Sequence, residues 1–233
     1  MQASFVTPPV PDAPRPVGAL LGDSLRRPGG RRAISVLSLV LFVAGVAMFA
    51  YPLGTDLYAR YRQGQLNGRF SDPTFATEYR NHTIPIGEGL TRLRIPRIGL
   101  SILVVQGTTP AALRAGAGHY VDTPLPGDEG NVGIAGHRTT FERPFNRLDE
   151  LAPGDLALLE TPFAIFTYKA VPAFGGHGNP WVVRPSDFSV VAQAPKEKLL
   201  TLTTCHPKGS ARQRLVMRFA LASVKSLTAR AGG

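Results

Sequence analysis

The chain carries one cysteine, Cys205, and five histidines. A thiol acts as a nucleophile only when ionised, so a cysteine enzyme needs a cation or a general base beside it. One cysteine makes no internal disulfide and no multi-thiolate zinc site. It is either a small buried hydrophobe or a reactive group. In LLTLTTCHPKG, strand alternation sets Leu200, Leu202 and Thr204 on one face and Leu199, Thr201, Thr203 and Cys205 on the other. Cys205 therefore stands where a strand gives way to a loop, a place that holds a thiol firmly and leaves it open to solvent.

His119, His137, His177 and His206 are the histidines considered as its base, with a neighbouring arginine as its cation. His206 is adjacent in sequence, but adjacent side chains near a strand end diverge, and with Pro207 its role is read as shaping the loop. His137 directly follows the apolar run NVGIAG, whose two glycines leave room for backbone or ligand, and the polar run Arg138, Thr139, Thr140 marks a cleft edge. A lone histidine of this kind is more often structural. The cysteine elsewhere shifts the balance, because Cys and His partners meet in space and not in sequence. Arg214 opens the next strand and can lie beside Cys205, where a guanidinium favours a thiolate and binds negative charge developing on an acyl group. Arg212 and Arg218 are read as a solvated strand face.

No metal and no cofactor is expected. Asp122, Asp128 and Glu129 cluster in a proline-glycine turn that lacks calcium-loop spacing. Zinc on Cys205, His206 and His137 would lack a fourth ligand and give Arg214 no purpose.

The elements that must position these residues follow from patterning. Twenty-five glycines and 21 prolines among short apolar runs suit a turn-rich β domain and would interrupt long helices. Strand patterns occur in TRLRIPRIGL, SILVVQG, NVGIAG, LALLE, AIFTYKAVPAF, WVV, the run through FSVVA, KLLTLTTC and RLVMRFAL. TTPAALRAGAGHY predicts a short helix capped by Thr109 with Pro110 at its first position, and FNRLDELAPGD another short helix. FGGHGNP is read as irregular. The fold class expected is mostly β: an eight-stranded closed barrel with short helices, preceded by one transmembrane helix, with a sandwich as the other arrangement this patterning allows.

Residues 1–32 read as a basic, disordered cytoplasmic arm, and Ala33 to Tyr51 contain no charge. At 1.5 Å per residue that run approaches the roughly 30 Å hydrocarbon thickness. It exceeds the core of a secretory signal and has no clean small-residue cleavage site before Pro52. Residues 33–53 are thus read as an uncleaved single-pass anchor, 54–80 as an extracytoplasmic linker, partly helical, 81–225 as the barrel and 226–233 as a tail. Arg26, Arg27, Arg31 and Arg32 would keep the N-terminus cytoplasmic and the barrel outside. The net charge of +10 is scattered from Arg15 to Arg230, which suits an anionic membrane or envelope; nucleic acid is not expected as a partner.

LRIPRIGL, GAGHYVDTPLPGDEGNVGIAGHRTTFERPF, LDELAPGD and LTLTTCHPKGSARQRLVMRFAL together resemble the sortases, most of all class E members of high-G+C Gram-positive bacteria. The likeness covers about Gly89 to Leu221, and the order AGHR, TLTTC, QRLV is its specific part. It implies an eight-stranded barrel with Cys205 as nucleophile, His137 as general acid or base and Arg214 as substrate and oxyanion contact. It also implies transpeptidation of secreted proteins bearing an LPxTG-like or LAxTG-like signal, cut between threonine and glycine, onto an amine of a peptidoglycan precursor or a pilin. Thr204, His119, Thr139 and Trp181 are further expected substrate contacts. Two other readings share the same residues or the same architecture: a cysteine hydrolase that passes the acyl group to water, and a non-catalytic envelope assembly or binding domain.

Overall fold

The computed structural model describes residues 28–70 and 72–227. The chain divides into two compact units, 1–51 and 52–233. The basic arm before residue 28 and most of the C-terminal tail lie outside the described residues. Helix α1, Pro28–Phe70, is long and apolar enough to cross a membrane. Its apolar part exposes Leu37, Leu41, Phe42 and Phe49, as a lipid-facing helix does.

The second unit is a closed barrel. Its strands are β1 Gly89–Ile95, β2 Leu100–Gln106, β3 Ala117–His119, β4 Gly130–Ala135, β5 Leu156–Glu160, β6 Ala164–Ala170, β10 Lys198–His206 and β11 Gln213–Ser226. The hydrogen-bonded order β10-β4-β3-β2-β1-β5-β6-β11 returns to β10 through a β10–β11 pairing, so eight strands form a ring. Closure leaves these strands no free edge. Pairing is antiparallel except for β2 with β3 and β4 with β10. Short elements fill the connections: the hairpin of β7 Ala173–Phe174 and β8 His177–Gly178, and β9 Trp181–Val183, which lies on β11 beyond β6.

Alternation builds the core. Leu93 and Ile95 of β1, Leu200 and Leu202 of β10, and Leu215, Met217 and Phe219 of β11 meet Tyr168, Phe145 and Leu148 in one buried cluster. Each such side chain contributes about 1.5–3 kcal/mol by leaving water. Helix α3, Pro110–Ala115, forms where its cap was expected: Thr109 accepts a hydrogen bond from Ala112 N, and Pro110 occupies the first turn.

Three local expectations are corrected. FGGHGNP is not irregular throughout, because Gly175 and Gly176 at φ 58 and 81 close the β7–β8 hairpin. The FSVVA run forms a 3-10 turn, Phe188–Val191, not a strand. LDELAPGD contributes only a 3-10 turn, Leu148–Glu150. The stretch read as a linker also packs onto the barrel within the second unit. Residues 52–70 continue α1 and bury Leu66, while helix α2, Pro73–Arg80, buries Phe75 and Tyr79 against Leu90 and Leu125.

Candidate active site

The site is assembled at one rim of the barrel by strand register. β4 and β10 run parallel with Ala135 opposite Thr203, and their last link is Gly136 N to Thr203 O at 3.1 Å. Counting on by two residues in each strand brings His137 level with Cys205. On the other side β11 runs antiparallel, and Cys205 is the register partner of Arg214. Three residues separated by 68 and 9 positions thus reach one rim through backbone pairing alone.

Cys205 is half-buried and free. It lies on the face of β10 that points away from the core cluster, with Thr203 and Thr201. His137 is half-buried, and Phe141 lies against its ring at 5.1 Å between centroids. Burial first, and then the positive field of Arg114 on α3, lower the His137 pKa below the ordinary histidine value. The Arg214 guanidinium is partly exposed; its Nη1 donates to Ala211 O and Gln213 O, both at 3.0 Å, which folds it over the cysteine loop.

The other expected contacts sort differently. Thr204 is buried, and its hydroxyl donates to Gly136 O at 2.8 Å, pinning the two strand ends together. Thr139 is exposed two residues beyond His137. Trp181 of β9 stacks with the rings of Phe174 and His177 from the β7–β8 hairpin. His119 is fully buried, with Nδ1 at 2.9 Å from Gln106 Oε1 and Nε2 at 3.0 Å from Pro124 O. Burial pushes its pKa down to about 4, which favours the neutral ring. Arg218 is corrected. It is 2% exposed, its guanidinium lies 3.7 Å from the Phe174 ring centroid, and it donates to Val190 O. Desolvation pushes its pKa down to about 10.

Two residues of the site were not anticipated. Arg138 is 3% exposed and spans both loops of the rim. Its Nη1 donates to Cys205 O at 3.2 Å and to His206 Nδ1 at 3.3 Å, and its Nη2 meets Asp149 Oδ1 at 3.0 Å. His206 therefore orders the loop as an acceptor for Arg138. Tyr120 places its hydroxyl 3.0 Å from Thr203 Oγ1. It lines a cavity of about 430 Å³ together with Thr123, Phe188 and Val191. That cavity therefore adjoins the face of β10 that carries the thiol. No group of three or more metal-ligating side chains occurs among the described residues.

The same fold recurs among known proteins. A family profile described as Sortase domain matches residues 93–222. Sortase SrtE1 of Streptomyces coelicolor is 28% identical over 82% of the chain, and the chain spans 58% of that relative's length. Sortase SrtE2 of the same organism is 28% identical, covering 84% of this chain and 85% of its own length. Among solved structures, sortase E from Streptomyces avermitilis is similar with TM-score 0.54 and 32% identity, over 61% of this chain and 93% of that one. The Clostridium perfringens Sortase D5 transpeptidase reaches TM-score 0.60 at 27% identity, over 71% of this chain and 99% of its own. With the profile matching more than half of the chain, and with class E proteins recurring among its relatives and structural neighbours, this chain belongs to the sortase family and is class E-like.

Proposed function

We propose that the chain is a membrane-anchored cysteine transpeptidase. It would cut an LPxTG-like or LAxTG-like sorting signal between threonine and glycine and join the threonine carboxyl to an amine of a peptidoglycan precursor or a pilin. The observation that carries the reading is the register at the rim: Cys205 has Arg214 as its β11 partner, and β4 delivers His137 from the parallel side. In the first half-reaction the Cys205 thiolate attacks the threonine carbonyl carbon, and the negative charge on oxygen is met by the Arg214 guanidinium. Collapse breaks the carbon–nitrogen bond as the His137 imidazolium gives its proton to the departing glycine amine. The thioester left on Cys205 is then attacked by the acceptor amine, which yields a proton to His137 while the thiolate leaves.

Burial and then the positive field of Arg114 lower the His137 pKa, which favours the neutral imidazole. Arg26, Arg27, Arg31 and Arg32 before the apolar run support an orientation with the N-terminus in the cytoplasm and the barrel outside.

The test is mass-resolved product analysis of the full chain in detergent with LPxTG and LAxTG peptides and a glycine- or lysine-type amine. Amine-capped threonine product, absent from Cys205→Ala, is the expected result and ranks the two signals. Free-acid product alone would move the assignment to a hydrolase. No Cys205-dependent thioacyl species across a broad signal panel would overturn the enzyme reading and favour a binding domain.

A further inference from the structure

Phe141, Glu142 and Arg143 take left-handed backbone in succession, with φ 52, 61 and 49. That region is unfavourable for any residue with a Cβ, and three in a row persist only where neighbouring structure holds them. The holding group comes from α1. Asp56 Oδ1 accepts from Glu142 N at 2.7 Å, and Asp56 Oδ2 accepts from the Arg143 guanidinium at 3.1 Å. Arg60 adds a bond from its Nε to Glu142 Oε1 at 2.9 Å. The Asp56 side chain is only 16% exposed, so water competes weakly for these bonds.

The far end of the same turn touches the site. Phe141 packs on His137 at 5.1 Å with the rings tilted by 35°, and Phe145 N donates to His137 O at 3.1 Å. A carboxylate 81 positions before His137 is therefore joined to its ring through three residues in an otherwise unfavourable conformation. We propose that Asp56 is a positioning residue of this site: by clamping residues 141–143 in the left-handed turn it holds Phe141 against His137, fixing the orientation of the ring and its shielding from water. The proposal rests on the reading of His137 as the general acid and base. It assigns residues directly following the apolar run a task in the chemistry, beyond linking an anchor to a barrel.

The experiment uses the full chain in detergent with Asp56→Ala, Glu142→Gly and the double variant. Turnover is measured beside the NMR titration of the His137 ring, whose surroundings include Arg114 of α3, Phe141, and Cys205 and Arg214 across the rim. Displacement of a reacting group by about 1 Å can cost on the order of 100-fold, so a partial release in D56A is expected to lower kcat about tenfold with KM within about twofold. The His137 midpoint is expected to move up toward the unperturbed value of about 6.5 as Phe141 withdraws. Glycine adopts positive φ freely, so E142G in the D56A background is expected to restore a large part of both quantities. A folded D56A with an unmoved His137 midpoint, or a defect that E142G does not relieve, would overturn the proposal. Should D56A not fold, Arg143→Gln opens the clamp from its other side, and an unmoved midpoint there overturns it equally. If the wild-type chain turns over no signal, the transpeptidase reading fails, while the His137 titration still decides whether Asp56 positions that ring.

Discussion

Replacing Arg138 by methionine removes the guanidinium that joins the two loops of the rim while keeping much of its volume. Arg138 is 3% exposed and reaches Cys205 O, His206 Nδ1 and Asp149 Oδ1 at 3.2, 3.3 and 3.0 Å. Hydrogen bonds from a charged donor contribute about 1.5–3 kcal/mol each, and the two at 3.2 and 3.3 Å are long enough to belong at the lower end. The Asp149 side chain is 42% exposed and also lies 3.7 Å from Lys208 Nζ, so its pairing adds about 1 kcal/mol at most. Against these stands Arg138 Nε, which is buried without a partner and whose loss therefore returns something.

The net expectation for Arg138→Met is a loss of about 3 kcal/mol, which for a domain of this size lowers the melting temperature by roughly 6–12 °C. The assay is the thermal transition of the barrel in the detergent-solubilised full chain, read beside the alkylation rate of Cys205 by a small neutral reagent. Loosening of the loop is expected to change that rate several-fold. Arg138→Lys keeps a charge for Asp149 but cannot fork to three acceptors, so it should recover less than half of the lost stability. An Arg138→Met chain melting within about 2 °C of wild type, with unchanged alkylation, would refute the argument that this guanidinium holds the rim together.

Acid should destabilise the fold through His119, whose folded pKa is about 4. The unfolded value is near 6.5, so this contribution is fully present above pH 6.5 and is lost as pH falls from 6.5 to 4, by about 3 kcal/mol in all. Urea titrations across that window should show a shallower pH slope for His119→Gln than for wild type, and equal slopes would contradict the assignment. Gly136→Ala would bring a Cβ within 2.6 and 2.8 Å of carbons of the buried Phe145 ring. Overpacking of this kind costs about 1–3 kcal/mol, and because residue 137 follows directly, kcat should fall with the melting temperature. Arg218→Met removes the bond to Val190 O and the stacking under Phe174. Hydrogen exchange should then quicken in 173–191 while β10 stays protected, and uniform exchange across both would argue that Arg218 does not hold that segment.

The strands around the site were legible because their patterns have period two and their neighbours are close in sequence. KLLTLTTC and RLVMRFAL are separated by a short loop, so adjacency was the natural arrangement; their direction was not legible, and the structure pairs them antiparallel with Cys205 opposite Arg214. The parallel contact of β4 with β10 was not legible, since nothing local in NVGIAG names a partner 68 residues away. Arg218 was misread for a related reason. Alternation places it on the outer face, but only the tertiary fold shows that Phe174, Trp181 and the turn at Val190 cover that face. Arg138 carried no signal beyond its place after His137, because a buried cation in a polar loop has the same sequence appearance as an exposed one. The FSVVA run has strand-like composition, yet Asp187 caps it as a 3-10 turn by accepting from Ser189 N, a choice of backbone that apolar patterning does not encode.

Barrel closure explains why so few residues are needed to bring Cys205, His137 and Arg214 to one level. A parallel pair ends on one rim, and the antiparallel neighbour begins there, so β4, β10 and β11 deliver their terminal residues together wherever the register is held. A slip of one residue would turn every side chain of β10 to the opposite face and carry the thiol inward. Side-chain bonds oppose that slip along the whole β4–β10 seam: Thr201 Oγ1 to Asn131 Oδ1 at 2.7 Å near one end, and Thr204 Oγ1 to Gly136 O at 2.8 Å at the rim. Register fixes where the backbone stands but leaves the His137 side chain its rotations, because His137 lies beyond the last paired residue of β4. The contacts left to define that ring are local ones, Phe141 against its face and Phe145 N on its carbonyl, and the turn that supplies them is the one clamped by Asp56. The barrel thus sets the level of Cys205, His137 and Arg214, while the turn held by Asp56 of α1 lies against the ring of His137, the group proposed to give and take the proton.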